Sequence, residues 1–275
     1  MIDLHAHLLP GIDDGPEHMD VAVAMARRAL DVGTQTVVCT PHRSPRHRTA
    51  PALVHEAVAE LRRALAGAGV PLEVLPGLEI AMSEVPGMGD DELRAATLGG
   101  GGRWLLIEMP FKGWPIELSD MLADLEIRGF SAVIAHPERA SSVQTSPDRV
   151  RDLVGRGALL QLTAGSLAGD LGPGPLRAGM ALARAGLAHL IASDMHGVRW
   201  RPPGLSEGLA AAAAELGVTA DALSWAVREG PELIVAGERA EPPRPKVVSR
   251  TPRPDAPPAA PAPRRARRRS PGAPR

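Results

Sequence analysis

The chain opens Met1-Ile2-Asp3-Leu4-His5-Ala6-His7-Leu8-Leu9-Pro10-Gly11-Ile12-Asp13-Asp14-Gly15. Residues two apart on a strand project from the same side. His5 and His7 therefore leave the end of a first strand together, as a two-nitrogen grip for a metal ion. One isolated histidine is more often a satisfied core or surface residue. Two at this spacing, with Asp13 and Asp14 in the turn just beyond, point to a ligand set.

Further along, short apolar runs alternate with amphipathic stretches. Candidate strands are Met1–His5, Thr36–Thr40, Leu72–Leu75, Trp104–Glu108, Ala132–Ala135, Ala158–Leu162 and His189–Ala192. Between and after them lie helical patterns at Met19–Leu30, Leu53–Leu65, Leu118–Ile127, Asp148–Val154, Leu176–Ala185, Leu209–Leu216 and Ala220–Val227. For the first helix, Asp14-Gly15-Pro16 offers a start, since proline is tolerated in a first turn, and Gly33 offers a stop. Alternation repeated about seven times predicts a parallel sheet, and its uniformity favours an α/β barrel of seven strands over an open sheet.

The other strand ends resemble the first. They read Cys39-Thr40-Pro41-His42-Arg43, Gly77-Leu78-Glu79, Ile107-Glu108-Met109-Pro110, Ala135-His136-Pro137-Glu138-Arg139 and Ser193-Asp194-Met195-His196. In a parallel barrel these ends converge on one rim, where active sites assemble. Five histidines and several carboxylates would meet there, and buried carboxylates are costly unless cations compensate them. Mixed His/carboxylate ligation without thiolate suits Mn, Fe or Zn, with the carboxylate content leaning towards Mn or Fe. So many ligands imply two or three ions, enough to present a bridging nucleophile and to clamp phosphoryl oxygens.

Bulk properties set outer limits. Of 275 residues 44% are hydrophobic but only 2% aromatic, with no tyrosine, so the core must be built from Ala, Val, Leu, Ile and Met. The net charge of −1 hides an asymmetry. Residues 241–275 carry ten Lys/Arg against Glu241 and Asp255, a charge of +8, which leaves −9 on residues 1–240. An acidic body is not the profile of a dedicated nucleic-acid binder. The same 35 residues hold eleven of the 28 prolines and almost no large apolar side chains. Such a segment cannot bury enough surface to offset its ordering entropy, so a disordered tail is expected after a domain of residues 1–240. The tail reads as solubilising, or else as a weak tether to an anionic partner or lipid surface. Cys39 is the only cysteine, no secretory signal opens the chain, and no apolar run approaches the ~18 residues of a membrane span. A soluble, cytoplasmic protein is the expectation.

The ordered set H-x-H-x-x-P-G-I-D-D-G, T-P-H, G-x-E, I-E-M-P, A-H-P-E-R and S-D-x-H resembles the PHP (polymerase and histidinol phosphatase) superfamily. The P-G-I-D-D-G opening, the H-P-E-R and the late R-P-P resemble its branch of manganese-dependent bacterial tyrosine-protein phosphatases encoded with capsule and exopolysaccharide genes. The match runs from about Met1 to Pro203. It implies a distorted seven-stranded barrel with three metals. His5, His7, Glu79 and Asp194 would hold one ion. Glu79 would bridge to a second, bound also by Glu108 and His136. His42, His196 and Asp13 or Asp14, with a slight preference for Asp14, would hold the third. Arg139 and Arg201 would be phosphate clamps, since guanidinium meets phosphate oxygens bidentately. The implied substrate is phosphotyrosine on a bacterial tyrosine kinase governing polysaccharide export. Two departures touch substrate contacts rather than ligands: Arg43 follows His42 where another His is common, and Gly197 follows His196 in place of the usual Asn.

Other readings are weaker. A cysteine phosphatase needs C-x5-R, but the residue that follows the five positions after Cys39 is Pro45. Gly99–Gly102 precedes a strand rather than following one, so it reads as a flexible turn instead of a phosphate loop. His18, His47, His55 and His189 lie in helical stretches or before a strand, away from the rim. Trp114 and Trp200 could flank a substrate ring or simply cover the site. A small-molecule phosphatase, such as one for histidinol phosphate, would share the metal cluster. A catalytically silent regulatory or binding module would lack ligands, and every expected position is filled.

Overall fold

The computed structural model describes residues 1–243. The expected disordered tail lies, from residue 244 onward, outside the described residues. Each of the seven expected strands forms, and all run parallel to their neighbours. They are β1 (Ile2–Ala6), β2 (Thr36–Cys39), β3 (His42–Arg43), β4 (Glu73–Pro76), β5 (Glu79–Ala81), β6 (Trp104–Glu108), β7 (Ser131–Ala135), β8 (Leu159–Thr163) and β9 (Leu190–Ala192). Two are extra because two strands are interrupted. β3 continues β2 beyond Thr40-Pro41, where proline has no N–H to give to a ladder. β5 continues β4 beyond Gly77-Leu78. A Cβ on Gly77 would come within 2.8 Å of Val38 Cγ1, so only glycine lets the two chains approach there.

The order of hydrogen-bonded neighbours is β1-β2-β4 in one sheet and β3-β5-β6-β7-β8-β9 in the other. Ala6 bridges Met195 just after β9. Asp194 N donates to His5 O at 2.8 Å and His7 N to Met195 O at 2.9 Å. The strands thus neighbour one another from β1 round to β9 and back to β1, in mixed α/β architecture.

Around the strands lie α1 (Met19–Asp31), α2 (Pro51–Gly67), α3 (Asp90–Ala95), α4 (Leu118–Ile127), α5 (Ser141–Thr145), α6 (Arg151–Gly155), α7 (Ala164–Ala168), α8 (Pro173–Arg184), α9 (Leu205–Leu216) and α10 (Glu229–Val235). The first helix starts later than Pro16. That proline belongs to the preceding turn, its carbonyl accepting from Gly11 N at 2.9 Å. Gly33, at φ 85°, ends the helix as expected. The last expected helix is instead a 3-10 turn, Ala220–Ala226. The four-glycine run is a packed junction and not a loose turn. A Cβ on Gly101 would meet Gly237 N at 2.6 Å, so glycine allows this backbone to abut the end of α10.

Alternation along the strands positions the site. Leu106 and Glu108 share one face of β6, as Leu159 and Gln161 share one face of β8. Leu106 and Leu159 join a small apolar cluster with Leu4, Val38, Val133, Leu190 and Ile234. Glu108 and Gln161, one residue pair further on, stand among the polar groups of the cavity end. The larger cluster packs the other strand faces against the helices. Among the described residues no helix is long and apolar enough to cross a membrane.

Helix α9 approaches α7 closely because residue 208 has no side chain: a Cβ there would meet Ala164 Cα at 2.4 Å. Gly208→Ala is therefore expected to lower stability in urea by about 1–3 kcal/mol. Gly155→Ala, which meets open space, should leave the midpoint unchanged or slightly higher.

Candidate metal centre

The rim of strand ends gathers nearly every residue the sequence singled out. Four groups of side chains place one ligand atom each within 4.8 Å of one another: His7, Asp14, His42 and His196; His5, Glu79 and His136; His5, His7 and Asp194; His42, Glu79 and Glu108. His5, His7, Glu79, His136, Asp194 and His196 are buried.

Hydrogen bonds fix which nitrogen of each leading histidine is free. His5 Nδ1 lies 2.8 Å from Gln161 Oε1, and His7 Nδ1 lies 2.6 Å from Asp13 Oδ2. Both oxygens only accept, so each Nδ1 carries its proton and, in the neutral rings, each Nε2 presents a lone pair. Those two Nε2 atoms face each other at 3.2 Å. Glu79 Oε2 stands 3.3 Å from each of them. Asp194 Oδ1 stands 3.5 Å from each. Both oxygens are buried; Asp194 Oδ1 has no hydrogen-bond partner, and Glu79 Oε2 has His42 Nδ1 within reach at 2.9 Å. Ligand atoms about 2.1 Å from one ion sit about 3.0–3.4 Å apart, depending on coordination geometry. The residues therefore fit a cation: four acceptor atoms converge at polyhedron-edge spacings in a buried place, and Asp194 Oδ1 among them has no hydrogen-bond partner.

Around this centre, His136 Nε2 reaches Glu79 Oε1 at 2.8 Å and Glu108 Oε1 at 3.7 Å. Asp14 Oδ1 lies 3.3 Å from His196 Nε2 and 3.5 Å from His42 Nε2. Asp13 instead accepts from His7 Nδ1 and from the backbone N–H groups of His42 and Gly15. The paired aspartates are thus separated in role: Asp14 faces the histidine nitrogens, and Asp13 braces the histidine behind them.

The electrostatics follow. Burial works to raise the Glu79 carboxyl, but His5, His136 and His42 together hold it well below the usual range. Asp194 is likewise held well down, burial being outweighed by His5, His7 and Arg201. Burial opposes charge on His5 and His7, yet Glu79 and Asp194 lift the first, and Asp13 leads in lifting the second well above normal. Without cations the cluster draws in protons. Burial and the neighbouring Glu79 charge push Glu108 up to about 7, and burial pushes His136 down to about 4, in the neutral form that binds metals.

Asp194 splits its two oxygens. While Oδ1 faces the histidines, Oδ2 pairs with Arg139 Nη1 at 2.7 Å and with Arg201 Nη2. Arg201 Nη1 also approaches His196 Nε2 at 3.0 Å, while its buried Nε has no partner. Among the described residues only His136, Asp194 and Arg201 combine a side chain with positive φ, at 31°, 53° and 48°. Such conformations cost on the order of 1 kcal/mol or more and persist where surroundings impose them. All three belong to this site.

The cavity in front measures about 320 Å³ and is walled on one side by Ser44, Arg46 and His47, on the other by Phe111 and Arg139. His47 corrects an expectation. The chain after β3 folds back through an Arg43–Arg48 bridge, which stacks the His47 ring on His42 at 5.8 Å. Arg43 turns away, to Glu84 and Glu92. Trp114 lies in a separate hollow under Arg149, whereas Trp200 meets His196 edge-on at 5.5 Å. Burial pushes the Cys39 thiol up and away from reactivity, and the buried His189 accepts from Leu160 N. The sequence reading missed Gln161 and Asp3. The first is the only polar side chain before the last residue of β8. The second, through Oδ1, accepts from His5 N and Ser193 N and pins β1 to the end of β9.

Fold and site together define an α/β protein with a metal-binding cavity at its strand ends. The chain belongs to the CpsB/CapC family of capsular polysaccharide synthesis, whose sequence profile matches residues 1–226. It is 35% identical over 250 residues to the tyrosine-protein phosphatase YwqE of Bacillus subtilis, covering 89% of this chain and 96% of the relative. CapC of Staphylococcus aureus is 31% identical over 205 residues, 74% of this chain and 79% of that one. The crystal structure of a protein from a study of YwqE and of CpsB from Streptococcus pneumoniae, described as metal-dependent tyrosine phosphatases, superposes with a TM-score of 0.79. The identity is 33%, over 91% of this chain and all of that one.

Glu138, between His136 and the clamp candidate Arg139, is wholly buried. Its Oε1 accepts from Thr163 N at 3.0 Å and its Oε2 has no partner. Burial pushes its pKa from 4.5 to about 7. A carboxyl whose folded pKa exceeds its unfolded value favours folding at low pH and loses that contribution as pH rises. Stability of metal-stripped protein should therefore fall between about pH 4.5 and 7, and Glu138→Gln should flatten that slope in urea titrations. An unchanged slope would contradict the burial argument.

Proposed function

We propose that this protein is a metal-dependent protein-tyrosine phosphatase, with His5, His7, Asp14, His42, Glu79, Glu108, His136, Asp194 and His196 as ligands of two or three ions. The supporting observation is the pair of facing Nε2 lone pairs with two buried carboxylate oxygens beside them. Manganese is the proposed native metal, since hard carboxylates outnumber what a zinc site of imidazoles needs. Bound ions would supply Lewis acidity, acidifying water for attack and neutralising charge on the phosphoryl oxygens.

The chain's own residues do the rest. Asp13 and Gln161 hold His7 and His5 in the tautomers that present Nε2, as outer partners of metal ligands commonly do. Arg139 and Arg201, joined through Asp194 Oδ2, place two guanidiniums at the cavity wall. Both arginines line the cavity, so their guanidiniums offer N–H donors for a phosphoryl oxygen, a charge-assisted contact that strengthens as charge develops. A phenolate leaving group has a conjugate acid of pKa about 10 and departs with less acid assistance than an alkoxide, which favours an aryl ester.

The proposed substrate is phosphotyrosine on a bacterial tyrosine kinase of capsule or exopolysaccharide export, with the enzyme acting in the cytoplasm. Residues 1–240 are proposed as the catalytic domain, and 241–275 as a separate Pro/Arg-rich segment.

Chelation should abolish turnover of a phosphotyrosine peptide, and manganese should restore it with metal contents measured by elemental analysis. His136→Ala or Asp194→Ala should lower bound metal and cut kcat by about a hundredfold or more. Full activity of the stripped protein would overturn the proposal, and a clear preference for histidinol phosphate would overturn the substrate. For Asp13→Asn, weaker metal affinity with the full number of sites is expected, because it loosens His7 without removing a ligand.

A further inference from the structure

An aromatic-poor chain has little choice about where to expose rings, so the places where it does so carry information. Only six Phe and Trp residues are present and no Tyr. Trp104 and Phe130 are buried, and Trp114 and Trp225 are partly buried against the core clusters. The two that remain, Phe111 and Trp200, are 43% and 62% exposed. Both stand at the site, on loops that follow different strands, β6 and β9.

Their attachments are parallel. Phe111 stacks on His136 at 5.6 Å with the rings 20° apart, and Arg139 lies over its face, 4.8 Å from the centroid. Trp200 meets His196 edge-on at 5.5 Å, and Arg201 lies 5.6 Å from its ring. Each ring therefore touches one histidine of the metal cluster and one of the two arginines. Phe111 also lines the cavity itself. Exposing large apolar rings to water is unfavourable, and neither ring covers a gap in the core. Aromatic rings are covered well by another planar ring at about 4.5–7 Å between centroids.

We propose that Phe111 and Trp200 are the specificity residues of the mouth: Phe111 is the platform on which the substrate's aryl ring packs, and Trp200 is the apolar contact for the ring's outer edge and the chain flanking it. This rests on the phosphatase reading and gives that site its selectivity for aryl over alkyl phosphate. The cations and arginines act on the phosphoryl group alone and are indifferent to what it is esterified to. Beyond the easier departure of a phenolate, discrimination comes from what touches the leaving group, and Phe111 and Trp200 are the two exposed Phe or Trp side chains among the described residues.

The test uses the manganese-loaded full chain. kcat/KM is measured for a phosphotyrosine peptide, the same peptide carrying phosphoserine, and phenyl phosphate, with wild type, Phe111→Ala, Phe111→Trp, Trp200→Ala and Trp200→Phe. The aryl-to-alkyl ratio should fall about tenfold or more in Phe111→Ala, mainly through KM, and Phe111→Trp should preserve it. Trp200→Ala should weaken the phosphotyrosine peptide more than phenyl phosphate, because the small ester has no flanking chain, and Trp200→Phe should recover most of the loss. As a readout independent of turnover, phenyl phosphate should change tryptophan emission of wild type, and the change should shrink in Trp200→Phe. Equal losses on aryl and alkyl esters, or an unchanged ratio in both alanine variants, would overturn the inference while leaving the phosphatase reading intact. Failure of wild type to hydrolyse any of the three esters would instead remove that reading.

Discussion

Two imidazole nitrogens, each with its lone pair turned towards the other across 3.2 Å, form an arrangement that water-filled protein does not tolerate on its own. Gln161 and Asp13 enforce it by accepting hydrogen bonds from the far nitrogens, which thereby keep their protons. Add the buried oxygens of Glu79 and Asp194, and a cluster results that calls for positive charge at its middle. Protons supply it poorly, because they satisfy one atom pair at a time. Divalent cations satisfy the whole set, and much of the surrounding structure can be understood as scaffolding for that demand.

The scaffolding works through strand ends. Interruption of two strands at Thr40-Pro41 and Gly77-Leu78 lets β3 and β5 resume next to each other, with His42 opposite Glu79. Left-handed backbone at His136 and Asp194 turns the chain just beyond β7 and β9, where a strand would otherwise carry its side chain past the rim, and Arg201, also left-handed, lies in the loop after β9. Asp3 then ties β1 to the β9 end, so that the His5-His7 pair and Asp194 keep a fixed separation. Below this layer the same inward faces are apolar, which keeps the polar groups confined to one end.

Much of this was legible in the sequence, for a physical reason. The strand periodicity of two places i and i+2 residues together, so H-x-H announces a shared face without any tertiary information, whereas Asp194 and His196 lie beyond β9 with Asp194 left-handed. The parallel direction of the strands and the convergence of their ends followed from repeated alternation. What the sequence left open depends on contacts between distant residues. Nothing local distinguishes Asp13 from Asp14; the backbone of His42 and the ring of His7 decide it. His47 looked peripheral because the short fold-back that brings it over His42 leaves no periodic trace. Gln161 was detectable in principle, as the lone amide within an otherwise apolar strand, but its meaning required His5 beside it. The glycine run at 99–102 looked loose because glycine serves both freedom and close packing, and only Gly237 shows which applies.

The most direct measurement is anomalous scattering at the manganese edge from crystals grown with that metal. The account predicts at least two strong peaks at the strand ends, one of them about 2.1 Å from His5 Nε2 and His7 Nε2. Crystals in which those two nitrogens face an ordinary water molecule, with no anomalous signal within bonding distance of Glu79 or Asp194, would contradict it.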